Sequence, residues 1–246
     1  ITEIWNVLIY FNGQRRNEAV EPLTNYFVGR VQKDFDKGNT SIGGMLTATH
    51  RNIENDHLTF LNRSAYSGGF DFRHQWNDKT YYFDFRTAFS NINGDSEAIA
   101  DAQQSSARYF QRPDAGYVDF DPTRTSLSGH GGYLSFGKGG NSSLRFSAGG
   151  MWRSPGLELN DLGFMRQADR IMQYTWLGYR ITEPFSIFRR LNINFNPWAG
   201  WNFGGETVFA GGNINGGGQL KNYWQVWGGI GWEGYNLSTS ALRGGP

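Results

Sequence analysis

Along most of this chain, aromatic or aliphatic side chains alternate with polar ones at a period of two residues. In residues 81–90 the two alternating sets are Tyr81, Phe83, Phe85, Thr87 and Phe89, and Tyr82, Asp84, Arg86, Ala88 and Ser90. Strict alternation is the pattern of a β-strand with two unlike faces. Helical periodicity is confined to residues 96–105. The sequence therefore predicts an all-β protein with one short helix.

We predict eleven strands, most of which have about the length that crosses a bilayer at a tilt. They cover residues 3–11, 23–33, 40–51, 65–76, 81–91, 128–137, 142–153, 169–181, 188–201, 207–218 and 223–233. The connections alternate in length. The short ones are residues 34–39, 77–80, 138–141, 182–187 and 219–222. The long ones are residues 12–22, 52–64, 92–127 and 154–168. Residues 202–206 are assigned to the long set with the least support. Short periplasmic turns and long extracellular loops are typical of an antiparallel up-and-down transmembrane β-barrel.

The composition fits a sheet with one wet face and one apolar face. Residues 1–246 include 34 Gly, 19 Phe, 12 Tyr and 9 Trp, yet the mean hydropathy is −0.55. The 23 basic and 22 acidic residues leave no basic surface for nucleic acid. The chain has no cysteine, which excludes disulfides and thiolate metal sites. We predict a single outer-membrane β-barrel domain over residues 1–246, truncated at both ends.

Charges predict the register of one hairpin. A two-residue turn after Trp76 would place Asp71 opposite Asp84, whereas a four-residue turn places Asp71 opposite Arg86 and Arg73 opposite Asp84. Directly opposed like charges destabilise a strand pair, and opposite charges stabilise it by about 0.2–1 kcal/mol. The four-residue turn is therefore predicted. It also pairs Phe72 with Phe85 and Trp76 with Tyr81.

The alternation assigns charged residues to the barrel lumen and amphipathic rings to its rims. The predicted lumen network, which would cross-link a filled interior, comprises Arg30, Asp71, Arg73, Asp84, Arg86 and Arg145. Trp and Tyr rings prefer the membrane–water interface. The predicted aromatic girdle comprises Trp5, Trp76, Tyr81, Trp152, Trp201, Trp224 and Trp232. An aromatic core in a soluble sandwich is the alternative interpretation of these rings.

Two long loops contain the candidate binding residues. They are Arg108, Tyr109, Phe110, Arg112 and Asp114 in the first loop, and Glu158 and Asp161 in the second. The first set mixes stacking and charged groups, which could bind a glycan or a partner protein or fold into the barrel as a plug; we favour the plug. Arg153 is expected to pin the rim through Glu158 and Asp161.

Catalytic and metal chemistry have weaker support. A glycosidase pair could be formed by Glu158 with Asp161 or by Asp119 with Asp121. Calcium could bind Asp114, Asp119 and Asp121, although no EF-hand or nonapeptide repeat is present. The four histidines lack metal-ligand spacing: His50, His57, His74 and His130. No catalytic residue, metal or cofactor is predicted.

Five segments carry a resemblance to a known family. They are residues 21–35, 106–114, 121–129, 152–163 and 237–246, including Asp121-Pro122-Thr123-Arg124-Thr125 and Trp152-Arg153-Ser154-Pro155-Gly156-Leu157. The chain resembles the β-barrel domain of unknown function of Bacteroidota envelope proteins, which commonly follows a family-9-type carbohydrate-binding domain. The resemblance implies an outer-membrane location and supplies no reaction.

The expected function is that of a non-enzymatic outer-membrane barrel that anchors or scaffolds surface modules. Its expected partners are the lipid bilayer and lipopolysaccharide, with other outer-membrane proteins or surface glycan as further candidates. A pore for saccharides or small solutes and a surface glycan hydrolase are the alternatives. A soluble carbohydrate-binding sandwich is the rival fold.

Overall fold

The computed structural model describes residues 5–11 and 13–241. Strands dominate it, with α1 (Ser96–Gln104) and two single-turn 3-10 helices, Asp36–Gly38 and Asp56–Leu58, in the connections. The strands are β1 (Trp5–Phe11), β2 (Gln14–Glu21), β3 (Leu23–Phe35), β4 (Thr40–Asn52), β5 (Ser64–Trp76), β6 (Tyr81–Asn93), β7 (Ser126–Lys138), β8 (Leu144–Arg153), β9 (Arg170–Ile181), β10 (Phe188–Trp201), β11 (Thr207–Leu220) and β12 (Gln225–Asn236).

Strands β3 to β12 form one ten-stranded antiparallel sheet in which every strand pairs with its neighbours in sequence. This is the predicted up-and-down order. The end strands β3 and β12 are not paired with each other among the described residues. In that same part of the chain, no helix is long and apolar enough to span a membrane.

The first predicted strand and loop need correction. Among the described residues, strand β1 pairs only with β2, in a separate two-stranded sheet, and the predicted loop 12–22 contains β2. The sequence of β2, Gln-Arg-Arg-Asn-Glu-Ala-Val-Glu, has no apolar alternation because the strand is mostly exposed. Period-two patterning marks a strand only where one face is buried or in lipid. This hairpin contacts the loop after β4, where His57 Nε2 lies 2.6 Å from the Ala19 carbonyl oxygen.

The predicted register of the β5–β6 hairpin is confirmed. Asp71 lies opposite Arg86, and Arg73 lies opposite Asp84. This register brings Arg73 Nη1 to 3.5 Å from Asp84 Oδ2. Arg86, two residues from Asp84 on β6, lies 3.3 Å from its Oδ1. The remaining predicted pairs, Phe72 with Phe85 and Trp76 with Tyr81, are also present.

The register gives the large sheet two unlike surfaces. We call the surface that carries Asp84 and Arg86 the polar face and the one that carries Phe85 and Phe89 the apolar face. Apolar side chains on the second surface are exposed, including Leu46 at 65% and Phe89 at 58%. Other exposed residues of the apolar face are Phe27, Val31, Ile42, Tyr66, Phe70, Leu134, Phe136, Leu177, Tyr179, Ile193, Ile214, Ile230 and Trp232. No second layer covers this face in the described part of the chain.

The two ends of the sheet differ in their connections. At the turn end, residues 36–39, 77–80, 139–143, 182–187 and 221–224 join the strands. At the loop end, the joining residues are 53–63, 94–125, 154–169 and 202–206. The predicted alternation of short and long connections therefore holds for the first three loop-end connections, whereas residues 202–206 have the length of a turn.

Aromatic rings of the predicted girdle occur near both ends. At the turn end, Trp76 stacks on Tyr81 with 5.6 Å between ring centroids and on Phe136 with 5.9 Å. Trp224 also lies at this end, next to β12, while Trp152, Trp201 and Trp232 lie toward the loop end. The side chain of Trp5 falls outside the described part of the chain.

An engineered disulfide tests the β5–β6 register. Ser67 lies opposite Ser90, so Ser67→Cys with Ser90→Cys should oxidise readily in this cysteine-free chain. Ser67→Cys with Ala88→Cys is the control, since only a two-residue turn would bring those positions together. Thiol labelling followed by mass spectrometry measures the oxidised fraction. Preferential oxidation of the control pair would show that the register is wrong.

Candidate functional site

Two long connections fold onto the polar face at the loop end. We call residues 94–125 and 154–169 the loop assembly. The polar face is locally apolar there, because Ala65, Ile92 and Leu127 occupy neighbouring positions of β5, β6 and β7. Ile99 of α1 and Phe110 pack against these residues and complete a buried cluster. This apolar patch explains why the first long loop lies on the sheet and does not extend into solvent.

Helix α1 holds the first loop together through one buried amide. Ile99 and Gln103 are one turn apart, and both are fully buried. The Gln103 amide donates to the Asp121 carbonyl at 2.9 Å and accepts from the Asp121 backbone N–H at 3.0 Å. This pair of hydrogen bonds joins the helix to the returning segment of the loop. The predicted helix 96–105 thus corresponds to α1.

Arg108 links the two parts of the loop assembly. Its side chain is 0% exposed, and its Nη2 lies 2.7 Å from Glu158 Oε2, a carboxylate that is 9% exposed. Arg108 also donates to the carbonyls of Ala102 and Leu157. A buried guanidinium requires a counter-ion and several acceptors, and Arg108 has both. The pair therefore fastens the loop assembly from inside.

Glycines let the second loop approach the sheet closely. A Cβ atom on Gly129 would lie 2.0 Å from the Leu157 backbone nitrogen, and one on Gly156 would lie 2.2 Å from the Ser128 carbonyl oxygen. At this crossing the Glu158 backbone N–H donates to Ser90 Oγ on the polar face at 2.9 Å. Only glycine allows two backbones to lie so close.

A second ionic cluster surrounds Asp169, just before β9. Its carboxylate lies 3.5 Å from Arg112 Nη2 and accepts hydrogen bonds from the Tyr117 hydroxyl and the Phe203 backbone N–H. Burial, followed by the hydrogen bond to Asp169, raises the pKa of Tyr117 well above its usual value. Tyr117 therefore stays a neutral donor. Arg112 Nε is also 3.5 Å from the more exposed Asp114.

Asp161 is held by the end of β4 and the loop that follows it. Arg51 Nη1 lies 2.6 Å from Asp161 Oδ1, and the Asn62 amide donates to the other carboxylate oxygen at 3.2 Å. The expected pinning of Glu158 and Asp161 by Arg153 is wrong. Arg153 donates instead to the Gln167 carbonyl at 3.2 Å. Arg108 and Arg51, which lie far away in sequence, are the partners of the two acids.

Five of the six predicted lumen charges form ion pairs on the polar face. Besides the cluster around Asp84, Arg30 Nη1 lies 3.0 Å from Asp71 Oδ1. This contact crosses β4 over Gly43, where an added Cβ would meet Asp71 Oδ2 at 2.5 Å. Arg145 lies apart, with its guanidinium carbon 5.2 Å from the Trp176 ring centroid.

Four of the five carboxylates considered for catalysis or calcium have other partners, Asp119 being the exception among the described residues. Glu158 and Asp161 are paired with arginines. Asp121 accepts hydrogen bonds from the Thr123 hydroxyl and backbone N–H, which lower the pKa of Asp121 below its usual value. No group of three metal-ligating side chains occurs in the described part of the chain. These four carboxylates act as structural acceptors in the loops.

A family model described as a domain of unknown function, DUF5916, matches residues 1–236. The chain belongs to the DUF5916 family. No curated protein and no solved structure matches it. The match covers both the β1–β2 hairpin and the ten-stranded sheet of this DUF5916 chain.

The sequence singled out Arg108, Phe110, Arg112, Glu158 and Asp161, and the loop assembly uses all of them. Tyr109 belongs to the same segment and has a positive φ of 51°. Sequence reasoning missed Gln103, Tyr117, Gly156 and Asp169 of the loop assembly and Gly129 of β7, on which it rests. Asp169 was predicted to be the first residue of a strand. The sequence around Gly129 does not indicate its contact with the second loop, because glycine is frequent throughout this chain.

Removing Arg108 should release the loop assembly. Arg108→Gln leaves the Glu158 carboxylate buried without its counter-ion, which costs about 3–5 kcal/mol and raises the open population more than about a hundredfold. Proteinase K digestion of residues 94–125 and 154–169 should accelerate accordingly. Arg166→Gln is the matched control, since Arg166 is exposed beside the Phe164 ring. Equal digestion of both variants would contradict the role of Arg108.

A methyl group at Gly129 should lift the second loop from the sheet. Gly129→Ala collides with backbone, so the Leu157 and Glu158 amides should lose protection from hydrogen exchange while β5 and β6 keep theirs. Gly139→Ala is the control, because a Cβ there meets no atom within 4 Å. Unchanged protection in Gly129→Ala would rule out the close approach of the two backbones.

Proposed function

We propose that this chain forms the wall of a transmembrane β-barrel in a bacterial outer membrane and acts there as a non-enzymatic anchor or scaffold for surface modules. One observation carries the proposal. The ten-stranded sheet has a continuous apolar face that no described residue covers, and a face of charged and amide groups behind it. Lipid outside and water or protein inside satisfy both faces at once.

Dimensions and aromatic placement support the same conclusion. A 13-residue strand such as β5 is about 43 Å long and, at a tilt of about 45°, covers about 30 Å of bilayer depth. Rings near the turn end, including Trp76 and Tyr81, and near the loop end, including Trp152 and Trp201, would lie at the two interfaces. A closed barrel requires pairing for the free edges of β3 and β12.

The resemblance to envelope proteins of Bacteroidota supports the location. In such a membrane the turn end faces the periplasm and the loop end faces outward, where lipopolysaccharide surrounds the barrel. Carbohydrate binding, if it accompanies this barrel, would come from a separate domain, because the resemblance assigns it to none of the residues of this chain.

Anchoring is better supported than transport or hydrolysis. The loop assembly packs on the polar face through a buried apolar cluster and the Arg108–Glu158 pair, which favours a plugged interior. A glycoside hydrolase needs two carboxylates free to act on its substrate. Glu158 and Asp161 are instead engaged by Arg108 and Arg51.

Arginine substitutions at two depths test the membrane proposal. Leu46 lies in the middle of β4 on the apolar face and is already 65% exposed. In a bilayer, Leu46→Arg should cost about 2–4 kcal/mol, whereas Ser126→Arg, at the loop end of the same face, should cost at most about 1 kcal/mol. The folded fraction in lipid bilayers is measured by urea titration and by the mobility shift between boiled and unboiled samples.

The wild-type chain should show that mobility shift and remain in washed outer membranes. A soluble sandwich predicts the opposite pattern, because replacing an exposed leucine by arginine in water costs little. Equal stability of both variants, together with release of the protein by washing, would overturn the membrane proposal.

A further inference from the structure

On the polar face, the turn-end part of β9 and β10 has a different charge pattern from β3 to β6. Arg30, Arg73 and Arg86 each lie within 4.0 Å of a carboxylate. Arg180 on β9 and Arg190 on β10 form no ion pair in the described part of the chain. The Nε atom of Arg180 is buried and lacks a hydrogen-bond partner there.

Strand register brings these two arginines together. Arg180 lies opposite Asn192, and Arg190 is two residues from Asn192 on the same face of β10. Such diagonal neighbours are about 7–8 Å apart at the backbone. Like charges on neighbouring side chains repel each other, and an anion bound between them would offset this repulsion.

A cavity of about 360 Å³ opens between these arginines and the edge strand β12. Two rows of opposed residues on the polar face of β10, β11 and β12 line it. One row is Asn192, Gly217 and Trp227, and the next is Arg190, Gln219 and Gln225. Gly217 has no side chain and leaves space between Asn192 and Trp227. The polar lining side chains are hydrogen-bond donors of Arg, Asn, Gln and Thr, and no carboxylate is among them.

We propose that this cavity is a binding site for a small polyanion that carries phosphate or carboxylate groups. Arginine presents a planar fork of N–H donors that matches both groups, and the amides of Gln219 and Gln225 add donors on the opposite wall. The volume exceeds that of a single phosphate ion and accommodates a ligand with two or three oxyanion groups. The Trp227 side chain borders the site at β12.

Calorimetric titration of the full chain in detergent micelles with pyrophosphate and with citrate tests this site. At least one probe should bind saturably with one-to-one stoichiometry, and the tighter probe identifies the preferred oxyanion. Arg180→Gln and Arg190→Gln should each weaken binding by about tenfold or more, since each removes charged hydrogen bonds. Arg180→Lys, which keeps the charge, should weaken it less.

The matched control is Arg189→Gln, which removes the same charge from the adjacent residue. Arg189 is the bulged residue between Phe188 and Arg190, and its guanidinium carbon lies 4.9 Å from the Tyr223 ring centroid. The affinity of the Arg189→Gln variant for the probe should match that of the wild type. Circular dichroism verifies that all variants fold. Absence of saturable binding, or an equal loss in Arg189→Gln, would overturn the proposal. Because the assay uses micelles, its outcome is independent of membrane location.

Discussion

The structure depends on a strand register that keeps polar residues opposite polar residues across ten strands. A slip of one residue would move Asp84 and Arg86 to the apolar face, so the hydrophobic pattern excludes it. A slip of two residues preserves the faces and is excluded only by charge, because it would oppose Asp71 to Asp84. The cross-strand ion pair of Asp84 with Arg73, at 3.5 Å, depends on the observed register. Partly exposed pairs contribute little stability each. Their main effect is to select one register over another.

Glycine determines which groups can lie close to this sheet. Gly43 leaves room for Asp71 to reach across β4 to Arg30, and Gly129 with Gly156 lets loop backbone lie against strand backbone. Gly217 leaves the space that becomes a cavity near Trp227. Glycine weakens a strand by itself, so its frequency here reflects contacts made across the strands.

The sequence predicted the ten strands of the large sheet because each has one face in an environment unlike the other. It predicted one hairpin register as well, since Asp71, Arg73, Asp84 and Arg86 distinguish the two possible turns. Strand β2 was missed because both of its faces are largely exposed, which removes the periodic signal. The contacts between the two long loops could not be predicted from the sequence for another reason. Arg108 and Glu158 are separated by 50 residues, and no periodic pattern relates them.

On the polar face, the loop end differs in electrostatic character from the turn end of β9 and β10, and this difference affects access. At the loop end, Glu158, Asp161 and Asp169 neutralise buried or half-buried arginines and hold the loops on the sheet. At the turn end of β9 and β10, Arg180 and Arg190 have no acidic partners among the described residues. In the proposed barrel, a solute would therefore enter from the periplasmic turn end and meet cationic side chains. To pass further, it would have to displace a loop assembly whose charges are already paired. The arrangement favours a closed chamber with one mouth, which is compatible with anchoring and with binding of an anion, and less so with continuous transport.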